Sequence, residues 1–557
     1  RTAKRSGFSD KQIAALRGAD VTEADIRALR TQHGIVPVYR LVDTCAAEFE
    51  AYTPYFYSSY QAMDQARVTD KRKIMVLGSG PNRIGQGIEF DYCCVHTVFA
   101  LRELGYETIM VNSNPETVST DYDTSDKLFF EPLTFEDVMN IYEREKPEGV
   151  VVQMGGQTPL NLAVPLMAVG VPILGTSSDS IDIAEDRKRC RELLERLGIK
   201  QAESGTATTL EEAKVIAERI GFPVMVRPSY VLGGRAMMVA NNPEELEPFV
   251  QAAFEASPGF PVLLDRYLDR AIEVDVDVLG DGEQAHIGGV MQHVEQAGIH
   301  SGDSACATPP HSLPESVVEK IKQDCLRLAL ELKVKGLMNI QMAVKDNEVY
   351  VIELNPRASR TVPFISKATG VPLAKLAAKI SAGVKLADLD TTIKQKFPQW
   401  CAVKEAVFPF NRFSGVDPIL GPEMKSTGEV MGIDTCFELA YWKSQIAAGQ
   451  ILPQRGRVFL SARNADKDWM VDIGHQLHAL GFSLIATEGT ARVLQDAGLT
   501  AQLVHKLAEK KAPNVLDFMK KGEVHLVINT PSGALARGDE VMIRSEAILR
   551  SIPIVTT

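Results

Sequence analysis

Short apolar strands alternate with glycine turns and predicted helices towards both ends of the chain. In the first half, the apolar runs at residues 73–77, 108–112 and 149–153 each lead into a turn rich in glycine or asparagine. Near the C-terminus, runs at residues 457–461 and 483–486 flank another predicted helix. Strands that alternate with helices in this way pack as a parallel sheet covered by helices. The chain is therefore predicted to be a multidomain α/β protein with doubly wound sheets.

Length and composition exclude several classes of protein. A chain of 557 residues exceeds a single hydrophobic core, which predicts about three or four domains. A net charge of -12 argues against a general nucleic-acid-binding protein, and no apolar stretch is predicted to span a membrane. Eight cysteines without a C-x-x-C pair indicate a reduced, cytoplasmic compartment. Because the chain begins with Arg1, we expect it to be a piece of a longer protein.

Two N-terminal segments carry no clear chemistry. Residues 1 to about 65 show apolar positions at helical spacing, for example Ile13 and Leu16, and are predicted to form a helical packing or oligomerisation element. The glycine loop after the first strand departs from the dinucleotide fingerprint, because Gly85 comes too late in the motif. We interpret it as a structural or substrate-side loop at the strand ends.

Phosphate-binding chemistry is densest between residues 185 and 365. Arg227 ends an apolar strand and precedes a glycine loop at residues 229–235, where backbone N–H groups can approach phosphate oxygens. Arginine offers a planar pair of donors to phosphate. The acids at residues 273, 275 and 277 share one strand face, which is either a solvated surface or, through Glu273, a ribose-binding site.

The strongest group of candidate ligands is a predicted hairpin. If Val344 faces Tyr350 across a three-residue loop, Gln341 lies opposite Glu353. Asn355 then shares the face of Glu353 by strand alternation. One carboxylate with two amide oxygens suits magnesium that ATP phosphates also coordinate.

Two arginines, Arg357 and Arg360, follow the hairpin directly. Positive charges at this position would stabilise a transferring phosphoryl group.

Five motifs resemble the large subunit of carbamoyl phosphate synthetase, and the match runs almost end to end. They are GQGIEFDY at 85–92, NPETVSTDYDTSD at 114–126, RPSYVLGGR at 227–235, HSGDS at 300–304 and ELNPRASRT at 353–361. That subunit has two homologous halves, each with an ATP-grasp site. Cys93 and Cys94, and a C-terminal regulatory region, make this chain similar to the second half.

The resemblance implies an ATP-dependent ligase that phosphorylates carbamate to carbamoyl phosphate, for arginine and pyrimidine biosynthesis. It also implies a small glutaminase subunit that supplies ammonia, the N-terminal half of the large subunit, a hetero-oligomer, and ATP with Mg²⁺ or Mn²⁺ as cofactors. The implied ATP pocket comprises Arg227, Arg266, Leu268, Glu273, Gly298, Ile299, His300, Ser301, Gln341 and Glu353. The implied metal ligands are Gln341, Glu353 and Asn355, and the implied catalytic cations are Arg187, Arg357 and Arg360. A K⁺ site and an ornithine site are implied at Glu295, Asp303, Ser304 and Glu405.

The C-terminal region has its own candidate anion pocket. The strand at residues 483–486 ends at a turn that contains Thr487 and Thr490. Their hydroxyls and the backbone N–H groups at the start of the following helix could bind an anion. The region resembles the methylglyoxal synthase-like allosteric domain of the same family, which implies a nucleotide effector such as uridylate or inosinate. Pro531 stands where some members carry threonine, and a closing helix is expected beyond Thr557. The implied effector-binding residues are Lys467, Thr487, Thr490, Lys506 and Asn529.

The resemblance predicts five segments. They are the end of a helical domain (1–65), a pre-ATP-grasp domain (66–185), an ATP-grasp domain (186–385), the remainder of the synthetic domain with a linker (386–447) and the allosteric domain (448–557). Two other functions stay open: another ATP-grasp carboxylate–amine ligase, and a regulatory half that binds nucleotides without catalysis. The second does not require the metal ligands and the arginines, all of which are present.

Overall fold

The structure is a computed structural model of the whole chain. It describes residues 1–557 except 47, 50–52, 62, 83–86, 230–235, 393–399, 411–417, 531–533 and 557, together with the side chains of 534–538. The chain forms two compact units. The first comprises residues 1–233, 239–292 and 308–398, and the second comprises 234–238, 293–307 and 399–557.

A six-stranded sheet with the order β1-β2-β5-β4-β3-β6 organises the N-terminal part of the first unit. Its strands are parallel except for β1, which is antiparallel to β2. β3 and β4 are buried along their whole length, as the apolar runs at residues 74–77 and 109–111 predict. The elements are α1 (Thr2–Arg5), α2 (Asp10–Arg17), α3 (Glu23–Gln32), β1 (Val38–Leu41), β2 (Tyr55–Ser59), β3 (Lys73–Leu77), α4 (Ile88–Glu103), β4 (Glu107–Val111), β5 (Lys127–Phe129), α5 (Phe135–Glu145), β6 (Gly149–Val151), α6 (Gln157–Leu160), α7 (Ala163–Ala168) and α8 (Ser178–Glu185).

The helical N-terminal segment ends at Gln32, well before residue 65. β1 and β2 follow it and join the sheet, because Tyr39 and Phe56 pack against Phe129. The burial of three aromatic rings outweighs the weak helical pattern of these residues.

The rest of the first unit holds a four-stranded sheet, β7-β10-β8-β9, and a sheet that contains β15-β14-β11-β12 in that order. Residues of β12 up to Gln292 belong to this unit. The core lies between these strands and α9 and α12. The elements from this part of the chain are α9 (Arg187–Leu197), β7 (Ser204–Ala207), α10 (Leu210–Ile220), β8 (Val224–Arg227), β9 (Met238–Ala240), α11 (Pro243–Ala256), β10 (Val262–Arg266), β11 (Ile272–Asp281), β12 (Ala285–Gln296), β13 (Cys306–Thr308), α12 (Glu315–Glu331), β14 (Lys335–Lys345), β15 (Glu348–Asn355), α13 (Thr361–Thr369) and α14 (Leu373–Ser381).

The second unit contains the antiparallel pair β16–β17 with α15, and a parallel five-stranded sheet with the order β20-β19-β18-β21-β22. The predicted strands at 457–461 and 483–486 are β18 and β19, and the predicted helix between them is α16. Within the described residues, no helix combines the length and apolarity needed to cross a bilayer. The elements are β16 (Cys401–Val407), β17 (Gly428–Asp434), α15 (Phe437–Ala447), β18 (Arg457–Ala462), α16 (Lys467–Ala479), β19 (Ser483–Thr487), α17 (Glu488–Asp496), β20 (Ala501–Val504), α18 (Val515–Lys520), β21 (Leu526–Thr530), α19 (Ala534–Leu549) and β22 (Ile554–Val555).

Candidate active site

The β14–β15 hairpin places Gln341 opposite Glu353, as predicted, but the predicted turn is wrong. Val344 faces Val349, not Tyr350, so the turn has only two residues between Lys345 and Glu348. Both turn residues have positive φ, 52° at Asp346 and 63° at Asn347, which is typical of a tight hairpin turn. A register shift after Gln341 then adds one residue to β15 and restores the predicted pair.

The three predicted metal ligands differ in their exposure. Glu353 is exposed, Gln341 is half-buried and Asn355 is buried. The carboxylate is therefore available to solvent ions, while Asn355 is held by its surroundings. Among the described residues, no cluster of three or more His, Cys, Asp or Glu side chains could hold a metal by itself. One carboxylate with two amides fits a magnesium ion that ATP phosphates also coordinate.

Arg357 is held by four neighbouring groups. Its Nη2 donates to Asn355 Oδ1 (2.9 Å), its Nη1 to the Ala358 carbonyl (2.9 Å) and its Nε to Gln157 Oε1 (3.3 Å). The guanidinium lies 5.7 Å from the ring centre of Phe90. Burial lowers the pKa of Arg357, while nearby Glu353 opposes this shift. The residue remains a cation with a fixed orientation.

Two of the residues that hold Arg357, Gln157 and Phe90, were not among the residues predicted for the site. Gly156 has a φ of 81°, and a Cβ on it would lie 3.2 Å from the Phe90 ring, so glycine is required there. Gln157 also donates to Glu185 (2.6 Å), which fixes its amide. The sequence signal was the glycine pair at the end of a parallel strand.

A second group of cations gathers near Glu353. Arg227 Nη1 donates to Asp265 Oδ2 at 3.3 Å. Loss of solvent around Arg187, followed by repulsion from Arg227, lowers the pKa of Arg187 to about 10, and both Asp265 and Glu353 oppose that shift. Arg187 therefore interacts electrostatically with two other predicted residues, Arg227 and Glu353.

The acids at residues 273, 275 and 277 are buried, so the solvated-face interpretation is wrong. They lie on β11, where Asp275 is opposite Gln341 and Asp277 is opposite Asn339. Strand alternation predicted their common face but not its burial, which depends on what packs against the sheet.

Two predicted ATP-pocket residues lie close together at and after the end of β10. Arg266 Nη1 donates to the Ile220 carbonyl at 3.0 Å, so this side chain is anchored to α10. Leu268 is half-buried, and its carbonyl accepts the N–H of Ala271.

The predicted residues Gly298, Ile299, His300 and Ser301 belong to the second unit. His300 Nδ1 accepts the N–H of Gly302 at 3.0 Å, which fixes the ring, and Lys404 Nζ donates to the Ser301 carbonyl at 3.2 Å. Gly298 has a φ of 97°, a conformation that favours glycine.

The four residues predicted for K⁺ and ornithine also lie in the second unit. Both carboxylate oxygens of Asp303 accept backbone N–H groups, at 2.8–3.1 Å from Lys425 and Ser426. Ser304 is fully buried. Burial and the nearby Glu295 carboxylate raise the pKa of Glu405 to about 8, and burial also raises the pKa of Glu295. Both acids are buried, and their negative charges repel each other.

This acid pair predicts a pH-dependent stability. The pKa of Glu405 is raised in the folded state from its ordinary 4.5, so between pH 4.5 and about 8 the folded state binds more protons than the unfolded state. The free energy of unfolding should therefore fall as pH rises through this range, and Glu405→Gln should reduce the fall. Thermal melting of both proteins at about pH 5, 6, 7 and 8 measures this pH dependence of stability, with the surface variant Glu523→Gln as control. Equal pH dependence in wild type and Glu405→Gln would contradict the prediction.

The predicted effector residues converge at the carboxyl ends of β18, β19 and β21. Thr490 Oγ1 accepts the N–H of Ala462 at 3.0 Å, and Thr487 Oγ1 lies 3.4 Å from Ser461 Oγ. Ser461, which was not among the predicted effector-binding residues, is opposite Asn529 in the parallel register.

Two lysines belong to this region. A Cβ on Gly489, in the first turn of α17, would lie 3.2 Å from Lys467 Nζ, so this ammonium lies over the start of the helix. Lys506 follows β20, whose Val504 is paired with Thr487.

Three predicted features lie outside the described residues. They are the glycine loop at 230–235, the first two residues of the motif at 85–92, and Pro531.

Family models match three parts of the chain. The carbamoyl phosphate synthase pre-ATP-grasp domain matches residues 70–183, the ATP-binding domain of the carbamoyl-phosphate synthase L chain matches 186–389, and the MGS-like domain matches 469–556.

Solved structures share the fold at low identity. The biotin carboxylase domain of Hydrogenobacter thermophilus 2-oxoglutarate carboxylase, in complex with MgADP, ADP and bicarbonate, aligns with a TM-score of 0.53 at 19% identity over 68% of this chain and 89% of its own. Biotin carboxylase from Campylobacter jejuni aligns with a TM-score of 0.53 at 16% identity over 68% of this chain and 91% of its own. At these identities the likeness concerns the fold alone.

Sequence relatives are much more similar. The carbamoyl phosphate synthase large chain of Archaeoglobus fulgidus is 58% identical over all of this chain and 51% of its own length, so this chain spans about half of that relative. The large chain of Methanothermobacter thermautotrophicus is also 58% identical, over 52% of its length. The C-terminal section of the large chain of Methanocaldococcus jannaschii is 53% identical over all of this chain and 92% of its own length. The chain therefore belongs to the carbamoyl phosphate synthase large-chain family and corresponds to its C-terminal half.

Proposed function

We propose that this chain transfers the γ-phosphoryl group of ATP to carbamate and forms carbamoyl phosphate and ADP. The observation that carries this proposal is the convergence of Gln341, Glu353 and Asn355 on one hairpin face, with Arg357 hydrogen-bonded to Asn355. Such a set can bind a metal–nucleotide complex and stabilise negative charge beside it.

Mg²⁺, or Mn²⁺ in its place, would be held by Glu353 and the amide oxygens of Gln341 and Asn355. Bound there, it would neutralise phosphate charge and polarise the transferring group. Arg357 is pre-oriented by its hydrogen bonds and needs little reorganisation to bind an oxygen of the phosphoryl group or of carbamate. Arg187, Arg227 and Arg360 supply further positive charge for the phosphates. This charge would stabilise the negative charge that develops on the transferring and leaving oxygens in the transition state.

The remaining ligand contacts are also proposals. Glu273 would bind the ribose hydroxyls, and Arg266 and Leu268 would contact the nucleotide. Residues 298–301 are proposed for nucleotide binding from the family resemblance alone. A K⁺ ion and ornithine would bind near Glu295 and Glu405. Asp303 is the weakest member of that set, because both of its carboxylate oxygens already accept backbone N–H groups.

The test is the reverse half-reaction, ATP formation from ADP and carbamoyl phosphate by the purified chain with magnesium. We expect a saturable rate, and no carbamoyl phosphate from glutamine and bicarbonate, because one ATP-grasp region is matched in this chain. The forward reaction is run with carbamate, bicarbonate and amino acids in parallel. ADP release with an amino acid but not with carbamate would favour a different ATP-grasp ligase, and no release with any acceptor would favour a regulatory half.

We further propose that the region around Thr487 and Thr490 binds a phosphorylated nucleotide effector. The N-terminus of α17, the Lys467 ammonium and two hydroxyls offer complementary charge and donors.

Thr490→Ala should weaken effector binding by about tenfold to a hundredfold, since one hydrogen bond to a charged group contributes about 1.5–3 kcal/mol. Calorimetry with uridylate and inosinate measures the affinity, with Thr490→Ser as the matched control. The rate of ATP formation without effector should not change. Equal affinities for wild type and Thr490→Ala would rule out this site.

The wider assembly is proposed from the family. A glutaminase subunit and the N-terminal half of the large chain would supply ammonia and carbamate, in a hetero-oligomer within arginine and pyrimidine biosynthesis. The five segments predicted from the sequence remain the proposed domain organisation, except that β1 and β2 of the first segment belong to the six-stranded sheet. The three matched ranges support the other boundaries. All eight cysteines are free, which supports a reducing, cytoplasmic compartment.

A further inference from the structure

A buried carboxylate on β11, Asp277, has no assigned role in the chemistry described above. Its side chain is almost fully buried, with a relative exposure of 1%. It accepts three hydrogen bonds: from Asn339 Nδ2 (3.0 Å), Ser359 Oγ (2.7 Å) and Thr361 Oγ1 (2.7 Å). The hydroxyls of Ser359 and Thr361 are themselves 2.8 Å apart. None of these three donors is a cation, so neutral hydrogen bonds alone offset the cost of burying the carboxylate.

The two hydroxyl donors flank Arg360. The segment from Pro356 to Arg360, which we call the arginine loop, joins the end of β15 to the start of α13. Asp277 holds the C-terminal end of this loop through Ser359 and Thr361. Because Thr361 is the first residue of α13, the positive end of that helix also favours a carboxylate there.

The N-terminal end of the arginine loop is held by a different residue. Gln153, which follows β6, donates from Nε2 to the Pro356 carbonyl at 2.5 Å, and its backbone carbonyl accepts the N–H of Ala358 at 2.9 Å. The loop is therefore held at both ends, by Gln153 at Pro356 and by Asp277 at Thr361. Arg357 and Arg360 lie between these two contacts.

Asp277 also reaches the metal-ligand strands. Asn339 is the residue of β14 that pairs with both Asp277 and Asn355. The hydrogen bond between Asn339 and Asp277 therefore ties the strand that carries Gln341 to the carboxylate that holds the loop. Burial, partly offset by the three donors, raises the pKa of Asp277 to about 6, which agrees with a carboxylate whose hydrogen-bond donors are all neutral.

We infer that Asp277 is a positioning residue for phosphoryl transfer, which fixes the arginine loop so that Arg357 and Arg360 meet the transferring group. This inference rests on the proposed function. A loop displaced by about 1 Å would bind nucleotide almost normally but lose about a hundredfold in rate.

The test compares four variants in ATP formation from ADP and carbamoyl phosphate. Asp277→Asn removes the charge, Thr361→Val removes one donor at constant shape, and Thr361→Ser keeps that donor. Val276→Ala is the stability control, because it shortens a core side chain on the same strand that faces away from the loop. We expect Asp277→Asn and Thr361→Val to lower kcat by about tenfold to a hundredfold with little change in KM for ADP. Thr361→Ser and Val276→Ala should keep kcat near that of wild type.

Hydrogen–deuterium exchange of residues 356–361 gives a second measurement that does not depend on activity. Exchange should quicken in Asp277→Asn and Thr361→Val, but not in Val276→Ala. If wild type forms no ATP, the proposed function fails while the exchange data still test Asp277. Equal kcat for Thr361→Val and Thr361→Ser, or unchanged exchange of residues 356–361 in Thr361→Val, would overturn the inference even if Asp277→Asn does not fold.

Discussion

Glu353→Gln is expected to lower the rate of ATP formation at least about a hundredfold, or about 3 kcal/mol in activation free energy. The variant keeps the length of the side chain but removes the only carboxylate among the three proposed metal ligands. Amide oxygens bind Mg²⁺ more weakly than a carboxylate, so the loss should be partly relieved at high magnesium. A magnesium titration of the half-reaction measures both effects.

Glu348→Gln is the matched control for this experiment. Glu348 lies on the same strand, at the hairpin turn, where it forms an exposed ion pair with Lys200 at 2.7 Å. Exposed pairs of this kind contribute at most about 1 kcal/mol, so activity should be unchanged. Both variants should melt near the wild-type temperature, because Glu353 is exposed and its carboxylate is not part of the core. A folded Glu353→Gln protein with near-normal rates at moderate magnesium would show that the metal site lies elsewhere.

Arg357→Lys is expected to have a comparable effect although it conserves the charge. Lysine cannot reproduce the planar set of donors that reaches Asn355, Ala358 and Gln157 together. Loss of one preorganised donor at a transition state costs about a hundredfold to a thousandfold in kcat. We expect kcat to fall far more than KM for ADP changes, since the contact concerns the transferring group and not the nucleotide base.

Arg196→Lys serves as the control for that substitution. Arg196 forms a surface ion pair with Glu331, so the same chemical change there should leave kcat intact. If Arg357→Lys retained most of the wild-type kcat, Arg357 would be a structural residue and not a catalytic one. A rise in KM alone would place it in substrate binding.

Comparison of Glu353→Gln with Arg357→Lys separates the contribution of the metal ion from that of the arginine. Magnesium should partly rescue Glu353→Gln but not Arg357→Lys, because the second variant leaves the metal ligands in place. Equal rescue of both would mean that Arg357 acts by holding Asn355, to which it is hydrogen-bonded.

Local sequence determined the elements that carry the chemistry. The apolar runs at residues 74–77 and 109–111 specified β3 and most of β4, because such runs are stable only when both faces of a strand are covered. Alternation on β15 placed Glu353 and Asn355 on one face, and long motifs identified the family. These properties depend on neighbours along the chain, which a sequence displays directly.

Tertiary structure decided the properties that depend on distant residues. The tight turn at Asp346 and Asn347 and the compensating register shift depend on how β15 pairs with β14. A regular register without a shift therefore predicted a turn that was one residue too long, although it predicted the Gln341–Glu353 pair correctly. The roles of Gln157 and Asp277 were hidden, because their partners Arg357 and Thr361 lie 200 and 84 residues away. Burial of a carboxylate is set by what packs over it, and only the folded chain shows that Asp277 is enclosed and hydrogen-bonded to the residues on both sides of Arg360.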